Sequence, residues 1–194
     1  MRRLTLLCLG LLILSGTARA ESSFGIQLSD ESARFVYATE MHNGQHGPVD
    51  MEFGLFFNED DDVMGHVGLM VRNDTFESPL VISLGARAYY ADAGNAPGNP
   101  PDSSVGAIAI GGELLFIPDN WGGLGIGVHY FIAPEIVSFG DADGFTEYGV
   151  RLNYEITMQS SIFIGYEKIE AELEDGTDLE IGDSVVFGIN LRFL

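Results

Sequence analysis

The chain ends with VVFGINLRFL, residues 185–194, a stretch in which apolar side chains occupy every second position. Successive side chains of a β-strand point to opposite faces, so this spacing predicts a strand with one uninterrupted apolar face. The apolar face comprises Val185, Phe187, Ile189, Leu191 and Phe193. The opposite face comprises Ser184, Val186, Gly188, Asn190 and Arg192. Such a strand suits a wall that separates lipid from a polar interior.

The same stretch ends in the pattern Gly-x-x-Leu-x-Phe, formed by Gly188, Leu191 and Phe193. This ending resembles the C-terminal strand by which bacterial outer-membrane barrels are recognised for insertion, with Leu194 added after the usual terminal aromatic. The resemblance implies that the barrel assembly machinery is a partner of this strand. The predicted location is therefore the outer membrane.

A signal peptide is predicted at the other end of the chain, over residues 1–20. Two arginines precede an apolar run from Leu4 to Leu14, and Ala18-Arg19-Ala20 supplies the small-x-small pattern of a cleavage site. The run is too short for a transmembrane helix, which takes about 20 residues. We expect cleavage after the last of these alanines, export through the periplasm, and a mature chain of one domain, residues 21–194.

The mature chain is acidic and has no cysteine. Cys8 lies in the signal peptide, so neither disulfides nor thiolate metal sites are available after cleavage. Three of the nine basic residues also lie there, which leaves six against 29 acidic residues, a net charge of −23. This charge disfavours nucleic acid as a partner and favours cations, including those that bridge lipopolysaccharide.

Segments of about ten residues with alternating hydrophobicity, separated by turn residues, fill the rest of the chain. This pattern is typical of an all-β, antiparallel transmembrane β-barrel. Ten strands are predicted, or eight if the first hairpin does not cross the membrane. Their ranges are 22–29, 33–41, 49–58, 63–72, 80–90, 105–116, 123–133, 145–157, 161–173 and 181–194.

Loop lengths predict the orientation of the barrel, because such barrels place short turns in the periplasm and longer loops outside. The three longest predicted loops, 91–104, 134–144 and 174–180, all lie on one side if the first strand starts in the periplasm. Both chain termini then face the periplasm. The alternative is a soluble periplasmic β-sandwich, whose strands alternate in the same way.

Several longer strings resemble a known family. FFNEDDDVMGHVGLM at 56–70, GARAYYAD at 85–92, APEIVSFGDADGFTEYGVRLNY at 133–154 and IGYEKIEAELEDGTDL at 164–179 are similar to segments of the YfaZ family of outer-membrane proteins. The resemblance runs through most of the mature chain. It implies an outer-membrane location and assigns no catalytic or ligand residues.

The inward faces of the predicted strands carry a cluster of polar and charged residues. We expect Asp50, Glu52, Arg72, Glu113, Glu155 and Arg192 in the periplasmic half of the lumen, and His66, Arg87, His129 and Glu147 in the outer half, with Arg151 near the middle. The excess of carboxylates in the periplasmic half favours a path for cations. Small barrels are filled by side chains, however, and buried charges must be paired, so we favour a packed network of salt bridges over an open pore.

Three functions follow from these observations. The first is a monomeric structural or surface-interfacial barrel in contact with outer-membrane lipid and lipopolysaccharide, and the second is a narrow channel for cations or small solutes. The third is a lipid-directed hydrolase, but no serine lies beside a histidine in a catalytic pattern, so no enzymatic activity is expected. We predict neither a cofactor nor a protein-bound metal site. The acidic loops do not fit the twelve-residue calcium loop, although divalent cations at these loops could bridge to lipopolysaccharide phosphates.

Overall fold

A computed structural model describes residues 21–44, 47–73, 78–93 and 103–193, which form one closed antiparallel barrel. The strands are β1 (Ser22–Leu28), β2 (Ser32–Gly44), β3 (Gly47–Asn58), β4 (Val63–Arg72), β5 (Leu80–Ala93), β6 (Ser103–Phe116), β7 (Leu124–Ala133), β8 (Ser138–Gly140), β9 (Ala142–Thr157), β10 (Ser160–Leu173) and β11 (Asp178–Phe193). Two short 3-10 turns, Asp119–Trp121 and Glu135–Val137, interrupt the connections. The predicted signal peptide lies outside the described residues.

The barrel closes through β1, which pairs with β2 on one side and with β11 on the other. The closing register runs from Ser22 opposite Phe193 to Leu28 opposite Phe187. The closed wall has ten strands when β7 and β8, which pair with the same neighbour, are counted as one, and this confirms the ten-strand prediction. The eight-strand alternative is wrong, because both strands of the first hairpin, β1 and β2, are part of the closed sheet.

One wall strand is interrupted, a feature that the sequence pattern did not predict. β7 pairs with β6 only as far as Ile110 opposite Ile132, and the short β8 then pairs with Val105–Ala107 of the same neighbour. The intervening turn begins at Pro134 and leaves Ile136 exposed. β7 and β8 thus act as one rising strand with a large bulge, and the predicted loop 134–144 is correspondingly shorter.

Both ends of the described chain lie at the same end of the barrel, called here the terminal end; the other is the distal end. The predicted loop 174–180 shrinks to 174–177, because β11 begins at Asp178. The connections 73–79 and 117–123 at the terminal end are longer than that turn, so the prediction that the three longest loops share one side is wrong. The longest connection, 94–102, still joins the distal ends of β5 and β6, and we keep the prediction that the terminal end faces the periplasm.

An apolar belt covers the outside of the barrel. Alternation along each strand sends aliphatic and aromatic side chains outward; Val150 is 49% exposed and Phe187 is 58% exposed. Other belt residues are Leu55, Val67, Leu69, Leu84, Ile108, Ile110, Leu114, Val128, Leu152, Ile162, Ile164 and Val185. A soluble sandwich would bury these side chains between two sheets. The outward belt and the single closed sheet therefore exclude that alternative.

Aromatic side chains are part of the same outer surface. The rings of Phe24, Phe35 and Phe57 form a row across β1, β2 and β3, with centroid separations of 6.3 and 5.7 Å. Tyr154 lies near the terminal end of β9 and is half-exposed. Amphipathic rings are favoured at membrane interfaces. No helix among the described residues combines the length and apolar character that crossing a membrane requires.

The interior changes character along the barrel axis. Its distal half is filled by an apolar layer to which most strands contribute: Phe56, Met64, Val105, Phe131, Phe145, Ile169, Leu179 and Ile181. Each of these side chains is at most 3% exposed. Charged side chains lie beneath this layer, and a cavity lies between them and the terminal end.

Candidate functional site: the barrel lumen

The cavity has a volume of about 280 Å³ and is lined by residues of nearly every strand. At the terminal end its lining includes the turn residues Met158 and Gln159, both exposed to solvent. At its inner limit it reaches Arg34, His129 and Glu147, which are buried or nearly so. The lumen is therefore a blind vestibule that opens at the terminal end and is closed by the apolar layer at the distal end.

Arg34 forms the centre of one group of buried ion pairs. Its Nη1 lies 2.8 Å from Glu147 Oε1 and 3.1 Å from Glu167 Oε2. The other oxygen of Glu147 accepts a hydrogen bond of 2.6 Å from the Tyr89 hydroxyl. All four side chains are almost fully buried. Charges at this depth persist only when they are paired, and here each carboxylate has a guanidinium partner.

Arg87 organises a second group beside the first. Its Nε lies 2.9 Å from Glu52 Oε1, and its Nη2 lies 2.6 Å from Glu113 Oε1. Glu52 also contacts His66, whose Nε2 is 2.6 Å from the same oxygen. The guanidinium carbon of Arg87 lies 3.9 Å from the ring centre of Phe131, a cation–π contact that joins the charged groups to the apolar layer.

The two groups touch, and together they form what we call the charged layer: Arg34, Glu52, His66, Arg87, Glu113, His129, Glu147 and Glu167. His129 Nε2 lies 3.7 Å from Glu147 and 3.8 Å from Glu167. Arg87 also approaches Glu147, at 3.6 Å. The layer therefore spans the lumen as one connected network.

A separate set of ion pairs surrounds the mouth of the vestibule. Arg72 lies 3.1 Å from Asp50 and 3.6 Å from Glu21, and Arg192 lies 3.2 Å from Glu21. Glu155 also lines the cavity and has no ion pair with a described residue. The mouth thus has more carboxylates than guanidinium groups, as the sequence pattern predicted for the periplasmic half.

The eleven residues predicted for the interior all contribute to the lumen, but the predicted division into halves is wrong for two of them. Glu52 and Glu113 belong to the charged layer with His66 and Arg87, not to the mouth. The register explains the shift: Glu52 pairs with Gly68, which pairs with Arg87 on the next strand. Because Gly68 has no side chain, the arginine reaches the glutamate across it. The other predicted residues lie at three places: His129 and Glu147 in the charged layer, Arg151 beside Glu113, and Asp50, Arg72, Glu155 and Arg192 at the mouth.

Two members of the charged layer, Arg34 and Glu167, were missed by sequence reasoning. Arg34 lies on the inward face of β2, opposite the outward Phe35 and Tyr37. That alternation was available as a signal. Glu167 is harder to find, because its inward neighbours Phe163 and Ile169 are as apolar as the outward face of β10.

Inward glycines make room for the rings of the charged layer. A Cβ atom on Gly54 would collide with the imidazole ring of His66, and one on Gly149 would collide with the ring of His129. In both cases the glycine lies on a neighbouring strand, opposite the histidine in register. These two positions need glycine because the ring occupies the space, not because of an unusual backbone conformation.

His129, Glu147 and Glu167 offer three potential metal ligands within 4.8 Å of one another. The guanidinium of Arg34 already bridges the same two carboxylate oxygens. A metal ion would have to displace this buried cation, so the arrangement fits an ion-pair network better than a metal centre. Neither His66 nor His129 has a hydrogen bond from a described serine or threonine hydroxyl, the contact that a serine hydrolase needs.

The closed antiparallel wall, the apolar belt and the polar interior together define a class of protein. A lipid-facing wall must satisfy all its backbone hydrogen bonds internally, which a closed barrel does. The chain is a transmembrane β-barrel of the bacterial outer membrane.

The family follows from comparison with known sequences. The family model described as YfaZ precursor matches residues 1–193, and the chain belongs to the YfaZ family. No curated protein sequence matches the chain. Among solved structures it is similar to a KdgM porin, with 11% identity, a TM-score of 0.47 and coverage of 90% of this chain and 99% of that one. It is also similar to the NanC porin, with 14% identity, a TM-score of 0.42 and coverage of 90% and 100%. A third is OmpT, an outer membrane protein of Vibrio cholerae, with 11% identity, a TM-score of 0.38 and coverage of 93% and 98%.

Proposed function

We propose that this barrel is a non-conducting protein of the outer membrane, with a structural or surface-interfacial role. The observation that carries the proposal is the apolar layer, which fills the distal half of the lumen without exposed side chains. Beneath it the charged side chains pair with one another and do not line a continuous water-filled path through the barrel. Small barrels of this kind have interiors that side chains can fill.

An ion that crossed the barrel would have to pass both layers. In the apolar layer it would lose its hydration without gaining a polar partner, which costs far more than thermal energy supplies. In the charged layer it would have to separate buried pairs such as Arg34–Glu147, at 2.8 Å. Each layer is therefore a separate barrier to conduction.

Conductance of the refolded mature barrel in planar lipid bilayers tests the proposal. We expect no channel events over a wide range of salt concentration. The double variant Phe131→Ala/Phe145→Ala removes two fully buried rings of the apolar layer and serves as a positive control, because it should admit ions. Steady channel events from the unaltered protein would favour the alternative, a narrow channel. Such a channel should prefer cations, because carboxylates outnumber guanidinium groups in the cavity lining.

The surface-interfacial part of the proposal depends on the acidic distal turns. The distal segments 29–31, 59–62, 134–141 (which includes the short β8) and 174–177 contain ten acidic residues and no lysine or arginine. In the last of them, the hydroxyl and backbone N–H of Thr177 donate to Asp175 and lower the pKa of that carboxyl. We propose that divalent cations link these turns to lipopolysaccharide phosphates.

Chelation tests this link. Removing divalent cations from isolated outer membranes should reduce the amount of lipopolysaccharide that co-purifies with the barrel. A matched variant in which Glu174 and Asp175 are replaced by Gln and Asn should show a smaller loss. Unchanged lipopolysaccharide after chelation would contradict the role of cations while leaving the non-conducting barrel untouched.

We also propose that the protein is not an enzyme. The two histidines of the lumen, His66 and His129, contact carboxylates of the charged layer, and neither has a hydrogen bond to a described serine or threonine that could act as a nucleophile. Incubation of the purified barrel with labelled lipopolysaccharide and phospholipid should leave both lipids intact. Release of a fatty acid that the variant His129→Ala no longer releases would instead establish the lipid-directed hydrolase.

A further inference from the structure

One wall of the vestibule carries uncharged polar side chains that take no part in the ion-pair network. This polar wall comprises Ser23, Gln27, Asn153, Ser161 and Asn190, from the adjacent strands β1, β9, β10 and β11. None of the five side chains has a hydrogen bond to another described residue. Asn153 is the most telling, because it is only 3% exposed and its Nδ2 has no partner. Buried polar groups are normally satisfied.

The strand register brings these side chains together. Ser161 is paired with Asn190, which is paired with Gly25 on the next strand. The Asn190 side chain lies over Gly25, where an added Cβ would come within 2.7 Å of its Oδ1. The glycine thus leaves room for the amide at the cavity surface. The pairing therefore places a hydroxyl and a carboxamide side by side at the cavity surface, and Asn153 lies one strand further along, opposite Phe163.

The charges of the vestibule indicate which kind of solute suits this polar wall. Most ionised groups are already paired with one another, so their charge is largely compensated within the protein. The lining nevertheless contains seven carboxylates against five arginines, an excess that repels anions. Apart from Glu155, which has no ion pair with a described residue, the groups left free for recognition are neutral donors and acceptors, which match the hydroxyls of an uncharged polyol.

We propose that the vestibule binds a small uncharged polyhydroxylated solute of the monosaccharide class, held by the polar wall and entering from the terminal end. The cavity of about 280 Å³ lies near the lower limit for small-molecule sites, which suits a single sugar ring and excludes long oligosaccharides. Hydroxyls of such a solute donate to and accept from the amides and serines, and satisfy the free Nδ2 of Asn153. This binding site goes beyond the non-conducting barrel and does not depend on whether the barrel conducts.

Equilibrium dialysis of the folded mature barrel tests the proposal. The barrel is held in an amine-oxide detergent, because a glycoside detergent would compete for the site. Three labelled probes are compared: glucose, its anionic counterpart glucuronate, and the diamine putrescine. We expect saturable binding of glucose in the millimolar range, at least tenfold weaker binding of glucuronate, and no saturable binding of putrescine.

Variants of the polar wall provide the structural control. Asn190→Leu and Ser161→Ala each remove hydrogen-bonding groups and should weaken glucose binding about two- to tenfold. Asn120→Leu, in an exposed turn at the same end but outside the cavity, should leave it unchanged. A gel-mobility shift on boiling shows that each variant is folded. If Asn190→Leu does not fold, the smaller Ser161→Ala change carries the same expectation.

Every other pattern overturns the proposal. Binding of putrescine without glucose would make the vestibule a cation site, and tighter binding of glucuronate would make it an anion site. Absence of saturable binding for all three probes would mean that the wall is merely hydrated. Equal glucose affinity in Asn190→Leu, Ser161→Ala and the unaltered barrel would place any sugar site elsewhere. Channel recordings are independent of all these outcomes, so failure of one proposal is distinguishable from failure of the other.

Discussion

Replacement of Arg34 is the most direct test of the charged layer, since this side chain holds two carboxylates at once. The change Arg34→Met keeps most of the apolar stem but removes the guanidinium at 2.8 Å from Glu147 and 3.1 Å from Glu167. Glu147 retains Arg87 at 3.6 Å, whereas Glu167 retains, among the described residues, only His129 at 3.8 Å. Removing one partner of a buried pair typically costs 3–5 kcal/mol, because the other charge stays buried. We expect a loss of about 3–5 kcal/mol in the free energy of unfolding.

The measurement is urea unfolding of the refolded barrel, followed by tryptophan fluorescence and by gel mobility without boiling. Arg192→Met is the matched control: its guanidinium is paired with Glu21 at 3.2 Å but is 45% exposed, so its loss should cost less than about 1 kcal/mol. The double variant Arg34→Met/Glu167→Gln removes the orphaned charge and should regain part of the stability. An Arg34→Met barrel as stable as the Arg192→Met barrel, or a double variant no more stable than Arg34→Met, would refute the reasoning.

Three further outcomes follow from the structure, each measured by the same unfolding assay or by membrane fractionation. Gly54→Ala should destabilise the barrel by about 1–3 kcal/mol, because the new Cβ collides with the ring of His66, whereas Gly65→Ala, whose nearest atom would be 3.8 Å away, should change stability by less than about 0.5 kcal/mol. Val150→Arg, in the middle of the lipid belt, should cost about 2–4 kcal/mol in a bilayer, whereas Ile156→Arg near the terminal end should cost about 0–1 kcal/mol; equal costs would argue against a membrane belt. Truncating β11 by its last three residues removes three of the seven residue pairs that close the barrel against β1, and the heat-modifiable form should disappear from the outer-membrane fraction.

Local alternation was enough to predict the strands, because a transmembrane barrel repeats one rule along its whole length. The predicted 63–72 is identical to β4, and the predicted 49–58 differs from β3 only at its first two residues. The bulge between β7 and β8 escaped prediction because Pro134 and Gly140 are typical of an ordinary loop. After this turn the chain pairs with β6 again through β8. This pairing is non-local, so the local spacing of apolar residues does not indicate it.

The sequence predicted which residues face the interior, but not the level along the barrel axis at which each side chain lies. Counting residues from the strand ends placed Glu52 with the mouth, yet the tilt and stagger of the strands bring it into register with Gly68 and Arg87. Stagger is a property of the closed sheet, so a single strand does not contain it. The same limitation hid the polar wall, because Ser161 and Asn190 become neighbours only through the pairing of β10 with β11.

The terminal sequence VVFGINLRFL by itself determined that this chain forms a barrel wall with one apolar and one polar face, since side-chain alternation depends only on backbone geometry. The sequence also determined the acidic distal turns. Tertiary structure alone decided that the distal lumen is packed with apolar side chains while the terminal half holds a polar vestibule. The physical reason is that filling a lumen depends on which side chains from different strands share a level, and closure with its stagger sets those levels.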